Sequence, residues 1–191
     1  MGQQETSRLF LALWPDPALR HGLREARDAW HWPRGAAPVH ADKLHLTLHF
    51  LGEVPSDRLP ELLDGFAVPF EAFGLELGRH VLWPHGIAVL EPFNEPPELL
   101  ALHARLAQAL VDLGLQPEAR SYRPHVTLAR RAGGVAVPEH SPAIVWQADR
   151  YAMVESRNGI YTVLRDYVGL AALPPTLPLQ HTRAERDHDP R

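Results

Sequence analysis

From Arg8 to Trp14 the chain reads Arg-Leu-Phe-Leu-Ala-Leu-Trp, a short apolar and aromatic run that predicts a buried strand. Asp16-Pro17 follows, an N-cap residue with proline at the first helical position. Leu19, Leu23, Ala26 and Trp30 then recur at helical spacing along one face, until Pro33, Gly35 and Pro38 break the pattern. Lys43 to Phe50 alternates polar and apolar residues strictly, which predicts a half-buried strand with Lys43, His45, Thr47 and His49 on one face. Ser56 is placed to cap a short helix carrying Leu59, Leu62, Leu63 and Phe66.

The second half repeats this order. Phe73 to Leu82 and Gly86 to Glu91 read as strands around a turn at Pro84, and Glu95-Pro96-Pro97 opens a helix with Leu99, Leu102, Leu106, Leu110 and Leu113 inward, stopped at Gly114. The next strand is Arg123 to Arg130, ended by Gly133-Gly134. Further strands are expected at Ala143 to Trp146, Arg150 to Glu155 and Tyr161 to Leu164, the last two joined through an Asn158-Gly159 hairpin turn. From Pro174 onward proline and mixed charge replace periodicity, so residues 173–191 are expected to form a disordered tail. Strand, helix, strand thus occurs twice, near residues 8–50 and 86–130, as in an internal duplication within one domain over residues 1–172.

Set side by side, the third elements of the two units are Lys43-Leu44-His45-Leu46-Thr47-Leu48 and Arg123-Pro124-His125-Val126-Thr127-Leu128. Each carries a cation, an imidazole and a hydroxyl at every second position, and the two histidines lie 80 residues apart. A period of two puts these three groups on one face of a strand, and a pseudo-twofold axis between the units would make the two polar faces opposite walls of one groove. Phosphodiester cleavage suits such a groove. An attacking water must lose a proton while a leaving alkoxide gains one across phosphorus, and two imidazoles fill those roles near neutral pH. The hydroxyls of Thr47 and Thr127 can donate to non-bridging oxygens, and Lys43 and Arg123 can offset the charge that builds.

Composition narrows the chemistry further. The 191 residues are 45% hydrophobic and 22% charged, with 12 histidines and no cysteine. Thiol nucleophiles, disulfides and cysteine-based metal centres are therefore excluded. A net charge of −4 argues against a protein that coats long nucleic acid by charge alone. No apolar run is long enough to span a membrane, and Met1 to Glu5 has no basic segment followed by an apolar one, so a cytoplasmic protein is expected.

The two motifs His45-Leu46-Thr47-Leu48 and His125-Val126-Thr127-Leu128 resemble the paired His-x-Thr-x signatures of the 2H phosphoesterase superfamily. Within it the chain is similar to the bacterial and archaeal RNA 2',3'-cyclic phosphodiesterases, also called 2'-5' RNA ligases. The likeness runs from Arg8 to Val168 and includes Arg8 to Leu13, Phe50-Leu51-Gly52-Glu53, Tyr122-Arg123-Pro124-His125 and Val154-Glu155-Ser156-Arg157. It implies a bilobal α/β (α+β) fold, with antiparallel-rich sheets, outer helices and an active-site groove between pseudo-twofold-related lobes. It also implies opening of a terminal ribose 2',3'-cyclic phosphate to a 2'-phosphate without metal or other cofactor, with weak reverse 2'-5' ligation in the same groove. By that likeness His45 is the proton donor to the departing 3' oxygen and His125 the base that activates water. The expected partners are RNA ends bearing a 2',3'-cyclic phosphate, such as tRNA fragments, bound by a monomer. Two departures are the long stretch His31 to Val39 before the first motif and the chain beyond Ala172.

Other residues carry competing readings. His49, four residues after His45, invites a metal reading, but the period is a strand's and Leu46 stands where a metalloprotease glutamate belongs. Arg130 matches the arginine that follows the second motif in the family and would bind phosphate, yet parity points it away from His125 unless a bulge intervenes. Phe10 and Trp83 read as core residues before they read as base-stacking platforms, His103 as structural or solvent-facing, and His181 and His188 have no assigned role. The alternatives to RNA end processing are a phosphodiesterase for a small cyclic or 2'-5'-linked nucleotide, a metal-dependent hydrolase built on His45, His49 and His125, and a non-catalytic RNA-binding module.

Overall fold

The computed structural model describes residues 5–139 and 143–170, so the predicted tail lies outside the described residues. Its elements are β1 (Thr6–Leu13), α1 (Pro17–Asp28), β2 (Ala37–Pro38), β3 (Leu46–Pro55), α2 (Leu59–Gly65), β4 (Phe73–Trp83), β5 (Ile87–Pro92), α3 (Pro97–Asp112), β6 (Val126–Arg130), β7 (Ile144–Ala148), β8 (Arg150–Arg157) and β9 (Ile160–Val168). As predicted, Asp16 caps α1, its Oδ1 accepting from the Leu19 backbone N–H at 2.8 Å. Asn158 and Gly159, both at positive φ, turn β8 into β9. Ser56 does not act as a cap. It opens a 3-10 turn ahead of α2, and its Oγ lies 3.1 Å from that of Ser7.

The named strands pair antiparallel in one continuous sheet, ordered β7-β4-β5-β6-β3-β1-β8-β9, with the short β2 added to β6. The sheet divides at its middle into two four-stranded halves, which meet through a single Cα pair, Leu46 with Val126. Registers match across that seam. Leu13 pairs with Leu46 and Ala12 with Thr47 in one half, as Leu90 pairs with Val126 and Val89 with Thr127 in the other. The duplication read from the sequence is therefore a duplication of register as well as of element order.

Alternation along β1 sends Leu9, Leu11 and Leu13 to the main core, under α1 and α3, and Phe10 and Ala12 to the opposite face. The helices cross between halves. α1 packs against β7 of the second half, and α3 against β3 of the first. Leu99, Leu102, Leu106 and Leu110 of α3 are fully buried there, each contributing roughly 1.5–3 kcal/mol. With the helices on one face, the other face is left open at the seam.

Strict alternation fails at matching points in the two halves. Between Ala12 with Thr47 and Leu11 with His49 the register skips Leu48, and between Val89 with Thr127 and Ala88 with Ala129 it skips Leu128. Each bulge buries two consecutive residues, Leu48 with His49 and Leu128 with Ala129, and returns the next one, Phe50 or Arg130, to the open face. The expectation that His49 shares the face of His45 is corrected by this bulge. The strands are also shorter at their starts than predicted, beginning at Leu46 and Val126, so Lys43, His45, Arg123 and His125 stand in the approaches to β3 and β6.

The turn between β4 and β5 locks onto the end of β6. Gly86 has φ +70, its carbonyl accepts from the Ala132 N–H at 2.8 Å, and a Cβ there would lie 2.6 Å from the Gly133 nitrogen. Gly86→Ala is expected to lower the free energy of unfolding by about 2 kcal/mol or more in urea titrations. Gly35→Ala, also at positive φ but with nothing within 4 Å, should cost about 1 kcal/mol from backbone strain alone.

Candidate active site

His45 follows a 3-10 turn, Ala41–Lys43, and the buried Leu44, and stands one residue before the seam pair. His125 stands one residue before the same pair from the other side, so the antiparallel crossing brings both imidazoles to the open face. Each is fixed by the same contact. His45 Nδ1 donates to the Lys43 carbonyl at 2.6 Å, and His125 Nδ1 donates to the Arg123 carbonyl at 2.7 Å. Because a carbonyl only accepts, the hydrogen sits on Nδ1 and each neutral ring keeps the lone pair of Nε2. The hydroxyl of Thr47 donates to Nε2 of His45 at 3.0 Å.

Both histidines and both threonines line one groove of about 790 Å³, together with Lys43, Arg123 and Arg130. The structure thus brings together all seven site residues singled out in the sequence, including Arg130 by way of the bulge. Lys43 Nζ lies 5.5 Å from the ring centre of Tyr161. Arg123 is not a free cation, because its Nη2 sits 2.6 Å from Glu91 Oε1. The walls around the two imidazoles differ. His45 is enclosed by Phe10, Trp14 and Tyr161 at ring distances of 4.8, 5.6 and 5.7 Å, whereas His125 has Trp83 at 4.3 Å. Phe10 is buried, in keeping with core packing, and Trp83 stands in the groove wall.

Burial dominates the proton affinities. Removal from water pushes His45 down to about 4, against a partial rise from its bond to the Lys43 carbonyl, and the charges of His125 and Arg20 depress it further. His125 is also lowered by burial, but the Arg123 carbonyl and the Glu91 carboxylate work the other way. Both rings are therefore neutral near pH 7 in the free protein. Arg20 bonds the Ala41 and Pro15 carbonyls at 3.0 and 3.2 Å and so braces the turn that carries His45.

His49 serves the fold. Its Nε2 donates to the His103 carbonyl on α3 at 2.9 Å, its ring stacks on His103 at 4.0 Å, and His103 stacks on Tyr122 at 3.8 Å. The Tyr122 hydroxyl donates to the Thr47 carbonyl at 3.4 Å, so this column backs the strand that presents the threonine. His103 is structural, one of the two readings offered for it. Among the described residues no three His, Cys, Asp or Glu side chains converge as a metal site, and no helix is long and apolar enough to cross a membrane. Sequence reasoning missed Glu91, Trp14 and Tyr161. The only local signal for Glu91 was a carboxylate closing the apolar run Ile87 to Leu90, and its partner Arg123 lies far along the chain.

Known proteins resemble this chain in sequence and fold. Residues 14–159 match the 2'-5' RNA ligase superfamily. A protein named RNA 2',3'-cyclic phosphodiesterase from Escherichia coli (strain K12) is 31% identical over 160 residues, 79% of this chain and 85% of its own. One of the same name from Thermus thermophilus is 31% identical over 84% of this chain and 89% of its own. In three dimensions, E. coli LigT complexed with 3'-AMP superposes with a TM-score of 0.77 at 28% identity, covering 86% of this chain and 98% of that one. TT0787 of Thermus thermophilus superposes at 0.73 with 28% identity, over 84% and 97%. The chain belongs to the 2'-5' RNA ligase superfamily, with the α+β fold of LigT.

Burial of neutral histidines sets the sign of one pH effect. Between about 4 and the ordinary value near 6.5 the unfolded chain takes up protons that His45 and His103 refuse when folded. Their contribution is intact above pH 6.5 and is lost as pH falls towards 4. Tm measured by scanning fluorimetry should therefore drop progressively from pH 7 to pH 4.5, and His103→Gln should flatten part of that slope.

Proposed function

We propose that this chain is an RNA 2',3'-cyclic phosphodiesterase that opens the cyclic phosphate at an RNA 3' end to a 2'-phosphate, with His45 as general acid and His125 as general base. The observation that carries this reading is the duplicated geometry: two imidazoles, each fixed through Nδ1 to the carbonyl two residues back, flank one groove at the meeting of two like half-sheets. The names of the E. coli and Thermus relatives supply the substrate class.

In the reaction, water attacks phosphorus and gives its proton to Nε2 of His125, while the bond from phosphorus to O3' breaks and O3' takes a proton from Nε2 of His45. The product is a 2'-phosphate with a free 3'-hydroxyl. His45 must enter this step protonated, and the anionic phosphate supplies the field that lifts its depressed proton affinity. The direction follows the family likeness, and the asymmetry of the two walls supports it. A ring with depressed affinity is the stronger proton donor once charged, and the ring beside Glu91 is the stronger acceptor. Thr47, Thr127, Lys43, Arg123 and Arg130 donate to or neutralise the phosphate oxygens. With a 5'-hydroxyl in place of water as the nucleophile, the same displacement joins two RNA ends: the 5' oxygen bonds phosphorus and gives its proton to His125, while O3' leaves with a proton from His45, giving a 2'-5' bond as a weak activity of the same groove. No step calls for a metal ion, the substrates are RNA ends such as tRNA fragments, and the protein acts as a cytoplasmic monomer.

The test uses an RNA oligomer ending in a 2',3'-cyclic phosphate, incubated in excess EDTA. Wild-type protein should yield only the 2'-phosphate, at a rate that EDTA leaves unchanged. His45→Ala and His125→Ala should each lose about 10²–10⁴-fold in kcat. Loss of activity in EDTA, or either variant near the wild-type rate, would contradict the mechanism.

A further inference from the structure

The two halves of the sheet are alike in register but not in what stands behind each histidine. Counting from the seam, the position of Trp14 in the first half, two residues beyond Ala12, is held in the second half by Glu91, two beyond Val89. Glu91 is a carboxylate at 1% exposure, whereas the other acids among the described residues are at the surface or only partly covered. A buried charge is costly unless it is paired, and this one is paired three times. Its Oε1 accepts from Trp83 Nε1 at 2.8 Å and lies 2.6 Å from Arg123 Nη2, and its Oε2 lies 2.8 Å from Arg79 Nη2, both arginines in ion-pair contacts. The Arg123 guanidinium lies 4.6 Å from the centre of the Trp83 ring. Trp83 in turn lies 4.3 Å from His125, and the Arg123 carbonyl holds His125 Nδ1. Every group that fixes His125 thus leads back to one carboxylate.

We propose that Glu91 is a positioning residue for His125: its buried carboxylate clamps Arg123 and Trp83 so that the carbonyl of one and the ring of the other hold the imidazole in place, and it sets a negative charge behind that ring. The proposal rests on the reading of His125 as the base, but its physical content concerns the free protein. Glu91 does not touch the phosphate; it acts through Arg123 and Trp83. The charged and titratable groups around His125 are Glu91 from β5, Arg79 from β4 behind it, Arg120 and Arg123 from the approach to β6, Glu118 from the same approach, and His45 across the seam. Glu118 is bound to Arg120 at 3.0 Å, which leaves Glu91 as the buried anion of the group. Arg79 is more than half exposed and serves as its counter-charge at the outer side.

The experiment is a pH titration of the full chain with 15N-labelled histidine, following the ring nitrogens of His45 and His125 in wild type, Glu91→Gln and Arg79→Met. Glu91→Gln keeps the size of the side chain and an oxygen acceptor but removes the charge. The His125 midpoint should fall by about one pH unit while His45 moves much less. Arg79→Met removes the outer cation from a half-exposed position, where folding is not at risk, and leaves the carboxylate less compensated. Its His125 midpoint should rise. Opposite shifts in the two variants establish the coupling; a His125 midpoint unmoved in both, or equal shifts at His45 and His125, overturns it. If Glu91→Gln does not fold, the sign of the Arg79→Met shift alone decides.

Kinetics on the cyclic-phosphate RNA then add a readout that a merely structural role would not move. In Glu91→Gln the limb of the pH profile set by the base should follow the His125 midpoint downward, with kcat reduced about 10-fold and KM changed less. Glu91→Asp, which restores the charge, should return the midpoint towards wild type. A chain that never acts on cyclic phosphate would sink the functional reading while leaving the titration result standing, so the two failures are distinguishable.

Discussion

The site depends on a single pairing. Leu46 and Val126 are the only Cα partners joining β3 to β6, and each histidine stands one residue before that pair. Antiparallel crossing at a point of like register puts like residues on either side of it, which is how one strand-and-approach pattern, used twice, produces two imidazoles facing one groove. The bond from Nδ1 to the carbonyl two residues back then fixes both rings in the same tautomer. In the proposed reaction neither half alone would suffice, since one imidazole cannot give and take protons on opposite sides of phosphorus. The crossed helices, α1 over β7 and α3 over β3, tie the halves together so that the seam need not hold them alone.

Much of this was legible in the sequence because the relevant signals were local and repeated. The strands of each half, the cap at Asp16, the turn at Asn158-Gly159 and the two His-x-Thr pairs each occupy a few consecutive residues. What escaped was either a departure from period or a contact across long separations. A bulge is a property of two paired strands. Strict polar alternation from Lys43 to Phe50 therefore gave no hint that Leu48 and His49 would both turn inward. The same displacement in β6 reversed the parity of Arg130 and carried it to the groove. Glu91 was passed over because its partners Trp83, Arg79 and Arg123 are brought to it by the β4–β5 and β5–β6 pairings.

Duplication supplies symmetry, yet the proposed chemistry requires two unlike roles. The difference lies in the walls. An aromatic enclosure around His45 removes water and depresses its proton affinity, whereas a buried carboxylate behind His125 opposes that depression. The positions concerned, Trp14 and Glu91, are equivalent by register, so one position of the repeat separates the environments of the two rings. Residues that leave the repeat unbroken, such as Thr47 and Thr127, line the groove from both halves.

The central claim is that both Nε2 atoms address one phosphate. It is tested most directly by 15N spectra of the histidine rings as a ribonucleoside 2'-phosphate, the product end, is added. The account predicts that the Nε2 signals of His45 and His125 move together, saturating at one common Kd, while those of the buried His49 stay in place. Movement of only one of the two, or saturation at two different concentrations, would contradict it.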